Sequence, residues 1–353
     1  MQLSKNNTHL KPHIFGYILF LIVGIVVLFF LNLIFGSVDI PLASVIEILN
    51  GGEAEKAAWN HIIMESRLPQ AITALFTGGA IAVSGLLLQT AFQNPLAESG
   101  ILGISAGASL GVAIVVLLFG GFVGSAGGFS LTYSMAITGG AFAGAIAVLF
   151  VVMLFSSIVK NNLMLLIIGI MIGYLISSVI SLLKFWSTSD NAFAYMMWGM
   201  GNFSSISSNQ LPFYCSVVAL GLLLSVFLIK PLNALLLGER YAANLGINVK
   251  VVRFVLLLCA GLLTAITTAY CGPISFIGLA VPHMARLLLR TSNHTTLLPV
   301  TILMGAFIAL LCNIVCVLPG AGQILPLNAI TPVFGAPVII YVIINQKRIQ
   351  YFN

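Results

Sequence analysis

Side chains able to do covalent chemistry are scarce in this sequence and stand apart from one another. The five cysteines, Cys215, Cys259, Cys271, Cys312 and Cys316, all fall inside or at the ends of apolar runs. An odd number in such surroundings argues against a disulfide framework. Cys312 and Cys316 share a helix face, yet no histidine or carboxylate lies near, so packing is the better reading than metal binding. His283, in Pro282-His283-Met284-Ala285-Arg286, reads as a cap at a helix end. His9, His13, His61 and His294 have no partner at ligand spacing. No metal site is expected. The sequence has no G-x-x-x-x-G-K-[ST] loop, no H-E-x-x-H and no carboxylate pair within an apolar run. The chain is therefore expected to be non-catalytic, to bind no cofactor, and to draw any energy from a partner.

Features suited to passage rather than reaction are more abundant. Pro and Gly interrupt apolar runs at Asn94-Pro95, Pro273, Pro282, Pro326, Pro332, Gly335 and Pro337. A broken helix at membrane depth needs buried or wet surroundings, because lipid leaves its free carbonyls unsatisfied. Kinks that aid packing explain these positions equally well. Small residues recur every fourth position at Gly103, Gly107 and Gly111, then at Gly169, Gly173, Ser177 and Ser181. Such stripes let helices approach closely. The first reads as a packing face. The second ends in hydroxyls beside a polar loop and is a candidate wall of a translocation path. In the following FAYMMWGMGNF, Tyr195, Met196, Met197, Trp198 and Met200 offer soft thioethers and flat rings, suited to a large, partly apolar ligand or to helix packing.

The elements that must hold these residues are membrane helices. Of 353 residues, 60% are hydrophobic and 6% charged, against about 25% charged in a soluble domain. A span needs about 20 apolar residues. One domain, 1–353, with ten spans is expected, near 14–36, 68–92, 101–119, 131–155, 163–185, 211–229, 254–270, 274–289, 299–318 and 330–344. The first is too long for a signal-peptide core, and no small-residue cleavage site follows it. Residues 37–66 form a wet segment with a short interfacial helix in PLASVIEIL. A Gly-rich turn is expected at 120–128, and a loop carrying a short helix at 186–210. The gap around 233–246, PLNALLLGERYAANLGINVKVVR, predicts a short amphipathic helix closed by a glycine. It reads as a docking knob or an ordinary linker.

Charge placement orients the spans. With the N-terminus inside, the inner gaps hold Lys5, Lys11, Lys160, Lys230, Arg240, Lys250, Arg253, Arg286, Arg290, Lys347 and Arg348. The outer ones hold Lys56, Arg67 and Lys184, with Asp39, Glu47, Glu53, Glu55, Glu65 and Asp190. This is the positive-inside pattern for ten spans with both termini cytoplasmic. The formal charge of +6 does not point to nucleic acid, because the basic residues sit singly in these gaps. Arg67 with NPLAESGILG echoes Arg253 with GPISFIGLAV on the opposite side, as two inverted-repeat-like halves would. Glu98, Lys184 and Asp190 lie near span ends, so no charge is expected at the midplane. Ion-coupled carriers usually keep one there; a secondary transporter with broken helices is the alternative reading.

RLPQAITALFTGGAIAVSGLLLQTAFQNPLAESGILGISAGASLG resembles the signature of the FecCD family, the permeases of type II ABC importers for ferric siderophores, haem and cobalamin. GPISFIGLAVPHMARLL and ITPVFGAP resemble its two C-terminal signatures, and LGERYAANLG its ATPase-coupling loop. The resemblance covers nearly the whole chain. It implies a homodimer in a bacterial inner membrane. It also implies two cytoplasmic ABC ATPase subunits carrying ATP and Mg, and a periplasmic or lipid-anchored substrate-binding protein. By position, Glu239, Arg240, Ala242, Leu245 and Gly246 are implied to meet the ATPase, and Arg67, with Lys56, to dock the binding protein. Spans five and ten are implied to form much of the path, with 193–203 at its periplasmic gate. Many relatives carry an Asp and an Arg where this chain has Asn313 and Val317, and a Glu and a Gly near the next turn where it has Gln323 and Asn328. NPLAE leans toward the cobalamin permeases.

Overall fold

The computed structural model describes residues 12–52, 56–120, 130–159, 161–317 and 324–345. The Gly-rich turn beyond Gly120, Lys5, Lys11, Glu53, Glu55, Lys160, Gln323, Lys347 and Arg348 lie outside the described residues. In chain order the helices are α1 (Pro12–Ile34), α2 (Leu42–Leu49) and α3 (Ala57–His61), then a π-helical stretch Ile62–Arg67 leading straight into α4 (Leu68–Phe92). There follow α5 (Ile104–Ala113) with a π-helical end Ile114–Leu118, α6 (Ser130–Ile158), α7 (Asn162–Trp186) and α8 (Ser189–Gly199). The second half holds α9 (Leu211–Phe227), α10 (Ile229–Leu236), α11 (Glu239–Asn244), α12 (Val249–Cys271), α13 (Ile277–Leu289), α14 (His294–Val317) and α15 (Leu327–Ile344). No strand occurs among the described residues.

Among the described residues seven helices are long and apolar enough to cross a membrane, or eight if α9 and α10, bent by 51° at their junction, form one span. Two shorter apolar helices, Ile104–Leu118 and Ile277–Leu289, occupy the third and eighth expected positions. Each follows a break. At the first, Gln93 takes a left-handed φ of 48° and Asn94–Gly103 runs without helix. At the second, Gly272 and Phe276 have φ of 73° and 68°. A left-handed φ is rare for a bulky aromatic residue, and at Phe276 it turns the chain from the break into α13. The 13 residues of α13 rise about 20 Å, less than the hydrocarbon core of a bilayer, so α13 alone is too short to cross one.

Helix α4 is the axis of the bundle. Of its most apolar window 83% is buried, against 17% for α1 and 28% for each of α6, α7 and α15. Its neighbours reach it through glycines. A methyl group on Gly78 would strike the Gly305 carbonyl of α14, and one on Gly85 the Gly278 carbonyl of α13. Pro282 lacks the N–H that would pair with that Gly278 carbonyl, which leaves the group facing α4. Gly107 and Gly111 meet Gly144 and Gly140 of α6 in the same way, so the first small-residue stripe is a helix contact.

Neighbour relations repeat between the halves. Helix α4 packs on α12, α13 and α14; α12 packs on α4, α5 and α6. Helix α13 in turn meets α15, as α5 meets α7.

Candidate functional site

The segment expected to dock a partner folds as two short helices around a turn. Leu232, Ala234 and Leu235 bury one face of α10, while Leu237 stays exposed. Gly238, at φ 99°, starts α11, and Gly246, at φ 82°, ends it. Both conformations favour glycine because a side chain there is strained. Within α11 only Ala242 is buried. Arg240, Tyr241, Leu245 and Gly246 are exposed, and Glu239 is half-buried. The result is a small apolar knob, Leu237, Tyr241 and Leu245, with one cation beside it.

Side chains tie this knob to the bundle. The Glu239 carboxylate forms an ion pair with the largely buried Arg253 of α12. Gln93 Nε2, at the end of α4, donates to the Leu235 carbonyl at 2.9 Å. Asn233 of α10 meets His294, the first residue of α14, whose other ring nitrogen lies 2.9 Å from Thr90 Oγ1 of α4. Next to Thr90, Gln89 accepts from Arg286 Nη1 at 2.6 Å. His283 is fully buried, and its Nε2 lies 2.7 Å from the Pro95 carbonyl. It ties α13 to the first break rather than capping its own helix. Apart from Glu239–Arg253, these pairs were not foreseeable from spacing, because the partners lie about 60 to 200 residues apart; the hint was LLLQTAFQN, a polar cluster inside an apolar run.

At the expected outer gate, α8 packs on α5 and its π-helical end. Tyr195 is buried, with Lys184 Nζ 4.7 Å from its ring centre and the Trp198 ring 6.3 Å away. Met196 and Met197 are exposed and Trp198 is half-buried. The segment is pinned by Asn328. Its Nδ2 donates to the carbonyls of Gly199 (3.1 Å) and Pro273 (2.6 Å), its Oδ1 accepts from Ser275 N (3.1 Å), and its own N–H donates to Met200 (3.1 Å).

The second small-residue stripe divides. Gly169 is buried against the backbone of Ile101 and Leu102, a helix contact. A side chain on Gly173 would meet nothing within 4 Å, and Ser177 and Ser181 are exposed. Only these three remain available to a path.

Arg67 needs a correction. It was expected as a docking cation, but it is buried, with Nη1 donating to the carbonyls of Leu33 (2.8 Å) and Ile34 (2.7 Å) and Nη2 to that of Val38. Those are the orphan carbonyls at the end of α1 and the chain leaving it. The guanidinium is spent on the protein's own backbone. Lys56 is exposed, stacked 4.9 Å from the Trp59 ring centre. Ser208 donates to Glu65 at 2.6 Å, joining the segment before α4 to the one before α9.

Asn313 sits in a chain of neutral amides. Its Nδ2 donates to Asn32 Oδ1 (2.7 Å), and its Oδ1 accepts from Gln70 Nε2 (3.0 Å). Asn32 donates onward to the carbonyls of Leu28 and Leu310. The amides thus join α1, α4 and α14 without charge. No group of metal-ligating side chains occurs among the described residues.

A family model, the FecCD transport family, matches residues 24–345. Among curated proteins, the vitamin B12 import system permease protein BtuC of Citrobacter koseri is 32% identical over 318 residues, covering 88% of this chain and 93% of the relative. BtuC of Klebsiella pneumoniae is 34% identical, covering 84% and 86%. A solved structure described as an inward-facing conformation of a candidate metal-chelate type ABC transporter superposes with a TM-score of 0.77 at 29% identity, over 95% of this chain and 98% of the other. Family match, identity along most of the length and shared helical architecture agree: the chain belongs to the FecCD transport family and is a permease of the ABC importer type.

Proposed function

We propose that this chain carries cobalamin inward across a bacterial inner membrane, as a homodimer of ten-span subunits with both termini cytoplasmic. Energy comes from two ABC ATPase subunits that bind ATP and Mg and seat on α10 and α11. The observation that carries the reading is the knob itself: exposed Leu237, Tyr241 and Leu245 beside Arg240, on a segment tied back to α4, α12 and α14. An apolar patch with a charged rim is what a partner surface needs. A binding protein would deliver substrate to the opposite face, where Lys56 is exposed. Met196, Met197, Trp198, Ser177 and Ser181 are the candidate lining of the path.

Cobalamin is favoured because the vitamin B12 permeases are alike along most of the chain. Cobalamin is itself a cobalt chelate, so the metal-chelate description of the solved relative points to the same class. Ferric siderophores and haem are the second reading. The test is uptake into proteoliposomes holding this chain with its co-expressed ATPase and binding protein, comparing cyanocobalamin, haemin and a ferric hydroxamate. ATP-dependent accumulation of cyanocobalamin alone is expected. Accumulation driven by an ion gradient without ATP would overturn the reading in favour of a secondary carrier.

Removing Glu239 leaves Arg253 buried without its carboxylate. Glu239→Ala and Gly246→Ala are each expected to lower co-purification of the ATPase or ATP-driven uptake at least tenfold. Full capture and full uptake in both would remove α11 from the interface.

A further inference from the structure

A knob that receives force must hand it to the helices that line a path, and the hydrogen bonds under α10 offer a route. Asn233 lies on α10, and its Oδ1 accepts two bonds from His294, from the backbone N–H (2.8 Å) and from Nδ1 (3.0 Å). A backbone N–H can only donate, so the Asn233 atom facing it is the oxygen. Asn233 Nδ2 donates in turn to Asn293 Oδ1 (3.0 Å), which also accepts from Thr295 N (2.9 Å). The amide orientations are thus fixed by two main-chain donors. It follows that Nδ1 of His294 carries the ring proton, and in the neutral ring Nε2 is an acceptor. Its partner is the Thr90 hydroxyl at 2.9 Å, whose single proton is divided between Nε2 and the Leu86 carbonyl 3.0 Å away.

The inner part of this chain is enclosed, while Asn233 is half-buried and Asn293 exposed. His294 has no exposed surface and Thr90 has 1%. The chain joins three helices through three side chains and ends on α4, whose apolar window is the most buried of the candidate spans. On α4 the adjacent Gln89 continues to α13, through Arg286 and through the Leu279 carbonyl at 3.2 Å. The Glu239–Arg253 ion pair joins α11 to α12, and Gln93 Nε2 joins α4 to the Leu235 carbonyl of α10; the imidazole route is the one that also takes in α14. A rigid imidazole held at both nitrogens transmits displacement better than apolar contact, which can slide.

Resting on the reading that α10 and α11 seat the ATPase, we propose that Asn233, His294 and Thr90 are positioning residues that couple movement of this segment to α4, and so join ATP hydrolysis to substrate movement. They touch neither substrate nor nucleotide.

The test uses the assembled complex in proteoliposomes, reading cyanocobalamin moved per ATP hydrolysed. Thr90→Val keeps the shape and removes the hydroxyl; Thr90→Ser keeps the hydroxyl. Thr90→Val is expected to retain the ATPase at wild-type stoichiometry and hydrolyse ATP within about twofold of wild type, while substrate moved per ATP falls at least about fivefold; Thr90→Ser is expected to restore the ratio. A wild-type ratio in Thr90→Val overturns the proposal. Equal losses in both variants, or loss of assembly in Thr90→Val, also overturn it, since the hydroxyl would then serve packing alone. Failure of the docking reading shows elsewhere, as unimpaired ATPase capture by the Glu239→Ala and Gly246→Ala chains.

Discussion

Arg67 shows how burial changes what a residue can be used for. Three carbonyls from the end of α1 and the turn after it converge on its guanidinium, so its removal would leave several acceptors unpaired. Arg67→Ala is expected to destabilise the fold by about 3 kcal/mol or more, seen as a lower melting temperature in detergent. If the melting temperature is unchanged while binding-protein affinity falls, Arg67 serves docking after all. Glu98, in the break between α4 and α5, gives a second residue-scale expectation. Burial pushes its carboxyl up to about 7. A carboxyl whose folded value is raised binds its proton more tightly in the fold. Its contribution is therefore favourable below the ordinary carboxylate range and is lost as pH rises from about 4.5 to about 7. Glu98→Gln is expected to raise stability at pH 8 by about 1–3 kcal/mol and leave it unchanged at pH 4. Equal effects at both pH values would show that the carboxyl does not titrate this way. Neither environment was legible in the sequence, where Arg67 and Glu98 look like ordinary loop charges.

At the scale of elements, breaks matter as much as helices. The end of α8, the 272–276 break and the start of α15 meet at one amide, Asn328. Asn328→Ala would leave two carbonyls and an N–H without a partner, a loss of about 1–3 kcal/mol. With Trp59 and Trp186 replaced by Phe, the remaining Trp198 is expected to become more accessible to acrylamide quenching in that variant. Unaltered quenching would mean the end of α8 is held by other contacts. Long apolar runs made helix positions legible: expected spans 68–92, 131–155 and 163–185 fall on α4, α6 and α7. The entry into α4 was not legible, because α3 and the π-helical stretch extend one continuous helix back to Ala57 through a region rich in charge. Nor was the origin of α13 in a left-handed Phe276, since sequence marks glycine for such turns and not phenylalanine.

At the scale of the molecule, a buried α4 and α12 stand between two outer sets whose neighbours correspond. Five spans per half would invert one set relative to the other, as the echo between NPLAESGILG and GPISFIGLAV suggests. The corresponding expectation is that a fluorescent reporter fused after Asn353 folds in the cytoplasm, and that a cysteine placed at Lys56 reacts with an impermeant thiol reagent from outside. Reaction from the inside only would overturn the orientation. Packing partners could not be read from composition. Apolar residues coat α7 and α15 all round, and hydropathy alone does not separate a face meant for lipid from one meant for another protein.

The amides of Gln70, Asn313 and Asn32 have a consequence of their own. An ion pair weakens in brine and fails in acid, when its carboxylate takes up a proton. Amides have no proton to gain in that range and no charge for salt to screen. The seam where α1 and α14 close on the central helix is therefore expected to tolerate swings in the acidity and salinity of the medium.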